Sequence, residues 1–260
     1  MHISFKWIGG ATFIIWVGDV KMVVDPMLCP KGTVHDYFWF KSTRLEEPHF
    51  EAKDFEDIDL CLYTHAHKDH IDMWGMEQVK KSRPHFICDK GSSQILRPHF
   101  KNNYPIEVLT WGRETRISIK GWALTIRATS TVHGLNPLSA RLAGKGNGYL
   151  VTCSRANQSF TLYVTGDTIY KKKLFSSLAH HPIDLMVANM GAAMKGTWIM
   201  TLTLDAGMLQ KLIGQLRPKQ VIPVHFGTFS HYHEPVEAIR QLRDARIQIL
   251  SLGTTTSWQT

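Results

Sequence analysis

The sequence predicts a single α/β domain with two packed β-sheets and helices on the outside. Strand and helix patterns occur in both halves of its 260 residues, and no low-complexity linker separates the halves. Hydrophobic residues make up 43% of the chain and charged residues 20%, which is typical of a globular protein with a sizeable core. A layered architecture buries the apolar faces of both kinds of element. We therefore assign residues 1–260 to one domain.

The first quarter of the chain is predicted to be β-structure. Residues 2–8 alternate between polar and apolar side chains, as a half-buried strand does. Turn sequences at 9–10 and 18–19 indicate that the chain then folds back in hairpins. An apolar run at 58–63 predicts a strand buried on both faces. The strands predicted here cover residues 2–8, 12–17, 21–24 and 58–63.

Beyond this point strands and helices are interspersed. Apolar side chains recur near helical spacing through residues 204–216 and mark one amphipathic helix. Residues 26–57 are predicted to be irregular and contain an aromatic cluster at 37–40. Further helices are predicted at 72–81, 92–96 and 235–243, and further strands at 86–88, 106–109, 114–119, 122–129, 148–153, 160–164, 184–188, 220–224 and 247–252.

Composition limits the class of protein. Asp19 and Lys21 interrupt the longest apolar stretch, so we expect neither a membrane span nor a membrane partner. The N-terminus lacks a basic region followed by a long apolar run, so we expect no signal peptide. The four cysteines include no Cys-x-x-Cys pair, which argues against a disulfide framework and a cysteine zinc finger. A cytoplasmic location is the default.

A histidine-rich loop directly after the buried strand carries the chemistry. Residues 64–70 read Thr-His-Ala-His-Lys-Asp-His. In an extended segment residues i and i+2 point to the same side, so His65 and His67 can bind one ion. Asp69 and His70 follow as the chain turns and can face a second ion. Imidazole nitrogen and carboxylate oxygen suit ions such as zinc, manganese or iron.

Three further candidate ligands, His133, Asp167 and His225, each follow a predicted strand. Singly, each has an ordinary alternative, because strand-end histidines commonly form hydrogen bonds and Gly-Asp commonly forms a turn. Their repetition favours one site, since strand ends at one edge of an α/β fold meet at a crevice where ligands bind. Asp25, before Pro26, is either a turn residue or a partner for a ligating histidine.

This ordered set of residues resembles the metallo-β-lactamase superfamily. The resemblance extends from about residue 3 to residue 252 and comprises five motifs in order. It implies an αββα four-layer sandwich of two mixed β-sheets, with helices on the outer faces and a dinuclear metal site at one edge. The segments 7–13, 24–26 and 222–228 are similar to the branch that contains the ascorbate-6-phosphate lactonase.

The resemblance also implies a ligand assignment. His65, His67 and His133 would bind one divalent transition-metal ion, and Asp69, His70 and His225 the other, with Asp167 as the bridge. Zinc is the first choice for both ions, with manganese or iron as alternatives. The diiron flavoproteins of the superfamily have Glu at the position of His67, so this chain is expected to favour hydrolysis over redox chemistry.

Hydrolysis follows from the chemistry of such a site. Two ions about 3.5–4 Å apart hold a bridging water and lower its pKa to about 7, which makes hydroxide available at neutral pH. The ions also stabilise negative charge on the substrate oxygen in the transition state. Asp69 would be both a ligand and a proton shuttle, and is our candidate catalytic residue. We expect a metal-dependent hydrolase whose substrate is a small ester or lactone, an anionic one included.

Other residues are candidates for substrate contact. Tyr37 and Trp39 lie in the irregular segment and either line a pocket or pack on the core. Lys195 and Trp198 lie in a loop between a strand and a helix, where substrate contacts are common. A histidine pair at 231 and 233 is expected to form local hydrogen bonds near the helix start at 235, rather than to bind a third ion.

Two alternatives to small-ester hydrolysis stay open. The first is a phosphodiesterase or nuclease that uses the same site on RNA or DNA. The net positive charge, from 30 Lys and Arg residues against 22 Asp and Glu residues, is compatible with such a substrate. Solvated lysine faces also account for this surplus, and no basic stripe interleaved with aromatic residues is evident, so nucleic acid is the less favoured partner. The second alternative is a metal-binding sensor without turnover.

Overall fold

Fifteen strands, five α-helices and two short 3-10 helices, at Ala52–Phe55 and Lys172–Phe175, make up the regular structure of the described residues. The computed structural model describes residues 1–37, 40–101, 104–197 and 201–260, and gives the backbone alone at 138, 139 and 142. In chain order, the strands are β1 (His2–Gly9), β2 (Thr12–Val17), β3 (Val20–Val24), β4 (Val34–Asp36), β5 (Lys41–Thr43), β6 (Leu60–Tyr63), β7 (His85–Cys88), β8 (Ile106–Val108), β9 (Glu114–Ile119), β10 (Trp122–Ser130), β11 (Asn147–Arg155), β12 (Gln158–Val164), β13 (Leu185–Asn189), β14 (Gln220–Val224) and β15 (Thr255–Gln259). The helices are α1 (Met73–Lys80), α2 (Lys90–Phe100), α3 (Pro137–Ala143), α4 (Ala206–Leu216) and α5 (Val236–Arg240).

The strands form two large sheets and one hairpin. The first sheet has the order β15-β1-β2-β3-β6-β7-β8 and the second β14-β13-β12-β11-β10-β9, while β4 and β5 pair with each other. Both large sheets are mixed. In the first, the antiparallel strands β15 to β3 continue into the parallel strands β6 to β8. In the second, antiparallel β9 to β12 continue into parallel β13 and β14.

Alternate residues of the first sheet face two different cores. Ile15 and Leu62 belong to the large core that includes residues of both sheets. Their neighbours Ile14 and Tyr63 belong to a second core with residues of α1 and α2, such as Met76. This alternation is the two-residue period of a strand with both faces buried. The α/β class with two mixed sheets and covering helices is therefore confirmed.

Aspartates cap the starts of α1, α2 and α4. The carboxylate of Asp72 accepts the backbone N–H of Gly75 at 2.6 Å and so caps α1. It also accepts the N–H groups of Leu28 and Cys29, at 2.9 and 2.6 Å. One side chain thus joins α1, which follows the histidine-rich loop, to the segment after β3. Asp205 caps α4 in the same way.

Several predicted elements differ from the observed ones. The strand predicted at 247–252 is wrong, since this segment contributes one isolated bridge, from Ile247 to Val221. The chain instead crosses to the first sheet, where β15 pairs with the available edge of β1. The segment 26–57, predicted to be irregular, contains the β4–β5 hairpin. Helix α2 is longer than the predicted helix at 92–96, and α3 has no counterpart among the predictions.

The two ends of the chain meet at the edge of the first sheet. The Met1 ammonium donates to the Thr260 carbonyl oxygen at 2.9 Å, and the Thr260 N–H donates to the Met1 carbonyl at 3.0 Å. Strand β1 runs from this point toward Gly10, whose carbonyl oxygen accepts the backbone N–H of His225 at 2.9 Å. Among the described residues, no helix is long and apolar enough to cross a membrane.

Two helical glycines offer a test of this packing. A Cβ added at Gly75 in α1 would lie 1.8 Å from the Pro26 carbonyl oxygen, whereas one at Gly214 in α4 meets nothing within 4 Å. We expect Gly75→Ala to lower the free energy of unfolding by about 1–3 kcal/mol through overpacking. Gly214→Ala should raise it by about 0.5–1 kcal/mol because alanine favours a helix. Urea denaturation measures both, and equal effects of the two changes would contradict the described contact.

Candidate metal centre

The seven predicted ligands meet at one edge of the two sheets. Strands β10, β12 and β14 run in the same direction. Both β10 and β12 are antiparallel to β11, which lies between them, and β12, β13 and β14 are parallel to one another. Their carboxyl ends therefore lie at the same edge of the second sheet. His133, Asp167 and His225 follow these ends, and the histidine-rich loop follows β6 of the first sheet.

The ligand atoms form two groups. One contains His65, His67 and His133, and within it the atoms able to bind an ion lie within 4.8 Å of one another. The other contains Asp69, His70, Asp167 and His225, with the same limit. The division matches the ligand assignment that the family resemblance implies. That these residues bind ions stays a prediction.

Asp167 lies between the two groups. Its Oδ2 is 3.2 Å from Nε2 of His133 and 3.9 Å from Nε2 of His65. The same oxygen is 3.3 Å from Nε2 of His70, and Oδ1 is 3.5 Å from Nε2 of His225. One carboxylate thus contacts or approaches histidines of both groups, which is the geometry expected of a bridging ligand.

The chemistry and spacing of these donors fit divalent transition-metal ions. Two nitrogen or oxygen ligands on a tetrahedral zinc ion lie about 3.3 Å apart, given bonds of about 2.0–2.1 Å. Several of the separations above are close to this value. Nε2 of His65 is buried and has no hydrogen-bond partner in the described part of the chain. A buried polar atom without a partner is unfavourable, and an ion would satisfy it.

A second layer of contacts orients the histidine rings. Nδ1 of His70 lies 2.7 Å from Oδ2 of Asp25, which also accepts the Thr64 hydroxyl at 2.6 Å. Nδ1 of His225 lies 3.2 Å from the Met190 carbonyl oxygen. These bonds occupy Nδ1 and leave Nε2 directed at the cluster, as is common for metal-binding histidines. Asp25 is thus the partner of a candidate ligand, one of its two expected roles.

Two glycines allow the loops to approach each other. A Cβ at Gly146 would lie 2.9 Å from Cβ of His65. At Gly166, next to Asp167, φ is +59° and a Cβ would lie 2.5 Å from the Asn147 carbonyl oxygen. A side chain at either position would therefore displace a loop that carries a candidate ligand.

Burial and neighbouring charges set the protonation of the cluster. Burial, reinforced by the nearby His133, lowers the pKa of His67 to about 3, and burial with neighbouring histidines lowers the pKa of His65 well below its usual value. Burial alone would raise the pKa of Asp167, but the histidines around it, His225 first, hold that pKa well below its usual range. Neutral imidazole and ionised carboxylate are the forms that bind metal ions.

Three residues outside the predicted ligand set contact Asp69. The Tyr37 hydroxyl donates to Oδ1 at 2.8 Å, the Tyr232 hydroxyl donates to Oδ2 at 3.0 Å, and Nε2 of His231 lies 3.2 Å from Oδ2. Nδ1 of His231 lies 2.5 Å from the Ser42 hydroxyl oxygen. The expectation of local hydrogen bonds for His231 is therefore wrong, because its partners come from β5 and the histidine-rich loop. The short distance in sequence from His225 to 231–233 was the only signal for this contact.

The remaining candidate substrate residues have varied surroundings. Nζ of Lys195 lies 3.2 Å from Oδ2 of Asp205 and 3.4 Å from Oε1 of Glu234, so its charge is paired with two carboxylates. Its carbonyl oxygen lies 2.8 Å from Nδ1 of His233. Trp39 and Trp198 are outside the described residues. Substrate contact by Lys195, Trp198, Tyr37 and Trp39 stays a prediction.

Comparison with known families agrees with this geometry. A model of the Beta-lactamase superfamily domain matches residues 22–226, most of the chain. The chain belongs to the β-lactamase superfamily. Two mixed sheets with outer helices and a ligand cluster at one edge are thus the metallo-β-lactamase fold, as predicted.

Individual superfamily members resemble the chain over nearly its full length. A UPF0173 metal-dependent hydrolase of Pyrococcus abyssi is 25% identical over 259 residues, which cover 96% of each chain. An N-acyl-phosphatidylethanolamine-hydrolyzing phospholipase D 1 of Caenorhabditis elegans is 23% identical over 253 residues, covering 92% of this chain and 69% of that protein. These names agree with the predicted enzyme class, a metal-dependent hydrolase.

Solved structures of low sequence identity share the superfamily fold. The crystal structure of an isothiocyanate hydrolase from Delia radicum gut bacteria has a TM-score of 0.77 and 22% identity, covering 97% of this chain and 98% of that one. A possible metal-dependent hydrolase from Veillonella parvula has a TM-score of 0.79 and 18% identity, with the same coverage.

Metal analysis tests the cluster directly. We expect the purified protein to contain about two transition-metal ions per chain. His67→Ala should lower this content, because it removes one of three donors from the first group. His180→Ala, a change at an exposed histidine outside the cluster, is the matched control. Elemental analysis measures all three proteins, and an unchanged metal content in His67→Ala would contradict the assignment.

Asp25 tests the second layer. Asp25→Asn should weaken binding of the ion at the second group about 10–100-fold, because His70 loses the carboxylate that orients it. The first group should keep its affinity. Asp184→Asn is the control, since Asp184 also accepts a backbone N–H, from Thr161, outside the cluster. Competition with a metal-sensitive dye measures both affinities, and equal weakening at the two groups would show a general loss of structure.

Proposed function

We propose that this β-lactamase superfamily protein is a hydrolase with two divalent transition-metal ions that cleaves a small ester or lactone, an anionic one included. The observation that carries the proposal is the position of Asp167. Its carboxylate lies within 3.9 Å of imidazole nitrogens from both groups. A single ion would not require seven ligands, since structural and catalytic zinc ions take three or four from the protein. Two ions that share one carboxylate account for the whole set.

Each group of residues would bind one ion. The first ion would be bound by His65, His67 and His133, and the second by Asp69, His70 and His225. Asp167 would bind both. When bound, such a pair of ions supplies a water-derived nucleophile at neutral pH and polarises a carbonyl or phosphoryl oxygen. Zinc fits the histidine-rich donor set best, and manganese or iron is compatible with it.

Asp69 remains our candidate for proton transfer. Burial opposes the ionised form of Asp69, but neighbouring histidines, His70 first, hold its pKa well below the usual range. Hydrogen bonds from Tyr37 and Tyr232 also stabilise the carboxylate. To accept a proton, Asp69 must lose or weaken one of these bonds. The Tyr37 hydroxyl donates to Oδ1, whereas His225 faces Oδ2.

A phosphodiester is the second candidate substrate. The relative from Caenorhabditis elegans is named as a phospholipase D, an enzyme class that cleaves phosphodiesters. The formal charge of +8 is compatible with an anionic substrate of this kind. The similarity of segments 7–13, 24–26 and 222–228 to the ascorbate-6-phosphate lactonase branch favours the lactone instead. Phosphodiesters and lactones should therefore be tested side by side.

A panel of p-nitrophenyl esters, γ-lactones, bis(p-nitrophenyl) phosphate and single-stranded RNA tests the proposal. We expect the protein to hydrolyse an ester or lactone in a metal-dependent reaction. Chelation should abolish this activity, and zinc should restore it to the unsubstituted protein. Asp167→Asn should lack the activity. Small-ester hydrolysis should change little between low and moderate salt, whereas nucleic-acid cleavage should fall steeply. If the fully metal-loaded protein hydrolyses none of the panel, a sensor without turnover becomes the better interpretation.

A further inference from the structure

Oδ2 of Asp69 faces more groups than one carboxylate oxygen can bind at once. Oδ2 receives the Tyr232 hydroxyl at 3.0 Å and faces Nε2 of His231 at 3.2 Å. The same oxygen is directed at the metal cluster, 3.3 Å from Nε2 of His225. A carboxylate oxygen has two lone-pair positions. An ion on Oδ2 would therefore leave room for one of the two hydrogen bonds.

Of the two groups that contact Oδ2, Tyr232 is the one whose hydrogen bond to Asp69 is expected to persist when an ion binds. Its ring packs against the ring of His225, with centroids 4.1 Å apart, and it is 7% exposed. The ring cannot move without disturbing a candidate ligand.

His231 is held in place independently of Asp69. Its Nδ1 lies 2.5 Å from the Ser42 hydroxyl oxygen, and Ser42 is fully buried. Its ring lies among the rings of Tyr37 and Phe40, with centroids 5.7 and 5.5 Å away. Because Nε2 faces a carboxylate, it carries the ring proton, and Nδ1 accepts the proton of the Ser42 hydroxyl. His231 keeps this orientation when its contact with Asp69 is lost.

We propose that His231 is a substrate-binding residue, whose Nε2–H donates to an anionic oxygen of the substrate once an ion occupies Oδ2 of Asp69. Ser42 is then a positioning residue that fixes the tautomer of His231. Nε2 of His231 and Nε2 of His225 lie 3.2 and 3.3 Å from the same Asp69 oxygen. A substrate oxygen held at the second group would therefore lie close to Nε2 of His231. This assignment rests on the proposed two-ion function.

Metal affinity separates His231 from Tyr232. Titration with cobalt(II), followed by visible absorption, measures binding at both groups without any assay of activity. We expect Tyr232→Phe to weaken the second ion about tenfold or more, because Asp69 loses its retained donor. His231→Ala should leave both affinities unchanged, since its bond to Asp69 is the one that an ion displaces. Equal weakening by the two changes would overturn the proposal.

Anion binding tests the role of Nε2–H. The probe is inorganic phosphate, added to the cobalt-loaded protein and followed by the change in visible absorption. We expect His231→Ala to weaken phosphate binding about tenfold. His231→Gln, which keeps an N–H donor at similar reach, should recover most of it, and Ser42→Ala should give an intermediate loss. His233→Ala is the control, since the ring of His233 contacts the Lys195 carbonyl instead.

The cobalt and phosphate titrations together distinguish failure of this inference from failure of the proposed function. Unchanged phosphate binding in His231→Ala, with two cobalt ions bound, would overturn the role of His231 and leave the hydrolase proposal intact. A protein that binds only one cobalt ion would refute the two-ion function itself. Thermal unfolding of each variant identifies any change that unfolds the protein, and in that case His231→Gln supplies the comparison.

Discussion

The structure depends on keeping seven ligand-type side chains buried together at one sheet edge. Six of the seven are 6% exposed or less, and His67 is partly buried. Such a group is stable only if each member has a partner. Carboxylates of Asp69 and Asp167 lie among the imidazoles, and the Asn189 amide donates to Oδ1 of Asp167. Asp25 and the Met190 carbonyl oxygen contact Nδ1 of His70 and His225, on the side away from the cluster. Nε2 of His65 is buried without a hydrogen-bond partner among the described residues, as expected of an atom that binds an ion.

The direction of the strands explains why these residues meet although they are far apart in sequence. Parallel alignment of β10, β12 and β14 brings their ends to one edge, and the loop after β6 reaches the same edge from the other sheet. Gly146 lets the segment before β11 approach His65, in the loop that follows β6 of the other sheet. The fold thus supplies proximity, and the second layer supplies orientation of the individual rings.

Much of this arrangement could be predicted from the sequence. Apolar periodicity located most strands and the helix α4, and ligand-type residues at strand ends located the cluster. Contacts between segments without a periodic pattern could not be predicted. The contact of Ser42, in the β4–β5 hairpin, with His231 depends on tertiary packing, and so does the contact of Tyr232 with Asp69. Nothing in the sequence around Ser42 or Tyr232 indicates these partners. The pairing of β15 with β1 was missed for the same reason, since residues 247–252 have the stronger β-pattern.

The hydrogen bonds between Met1 and Thr260 have a practical consequence. Strand β1 leads from this junction to Gly10, beside His225, so the junction and the metal cluster lie at opposite ends of the strand. A short linker could join the two ends, and a circularly permuted chain opened at an exposed turn should keep the same sheet order. An affinity tag or fused domain attached at either end would likewise lie at the end of β1 away from the candidate ligand cluster.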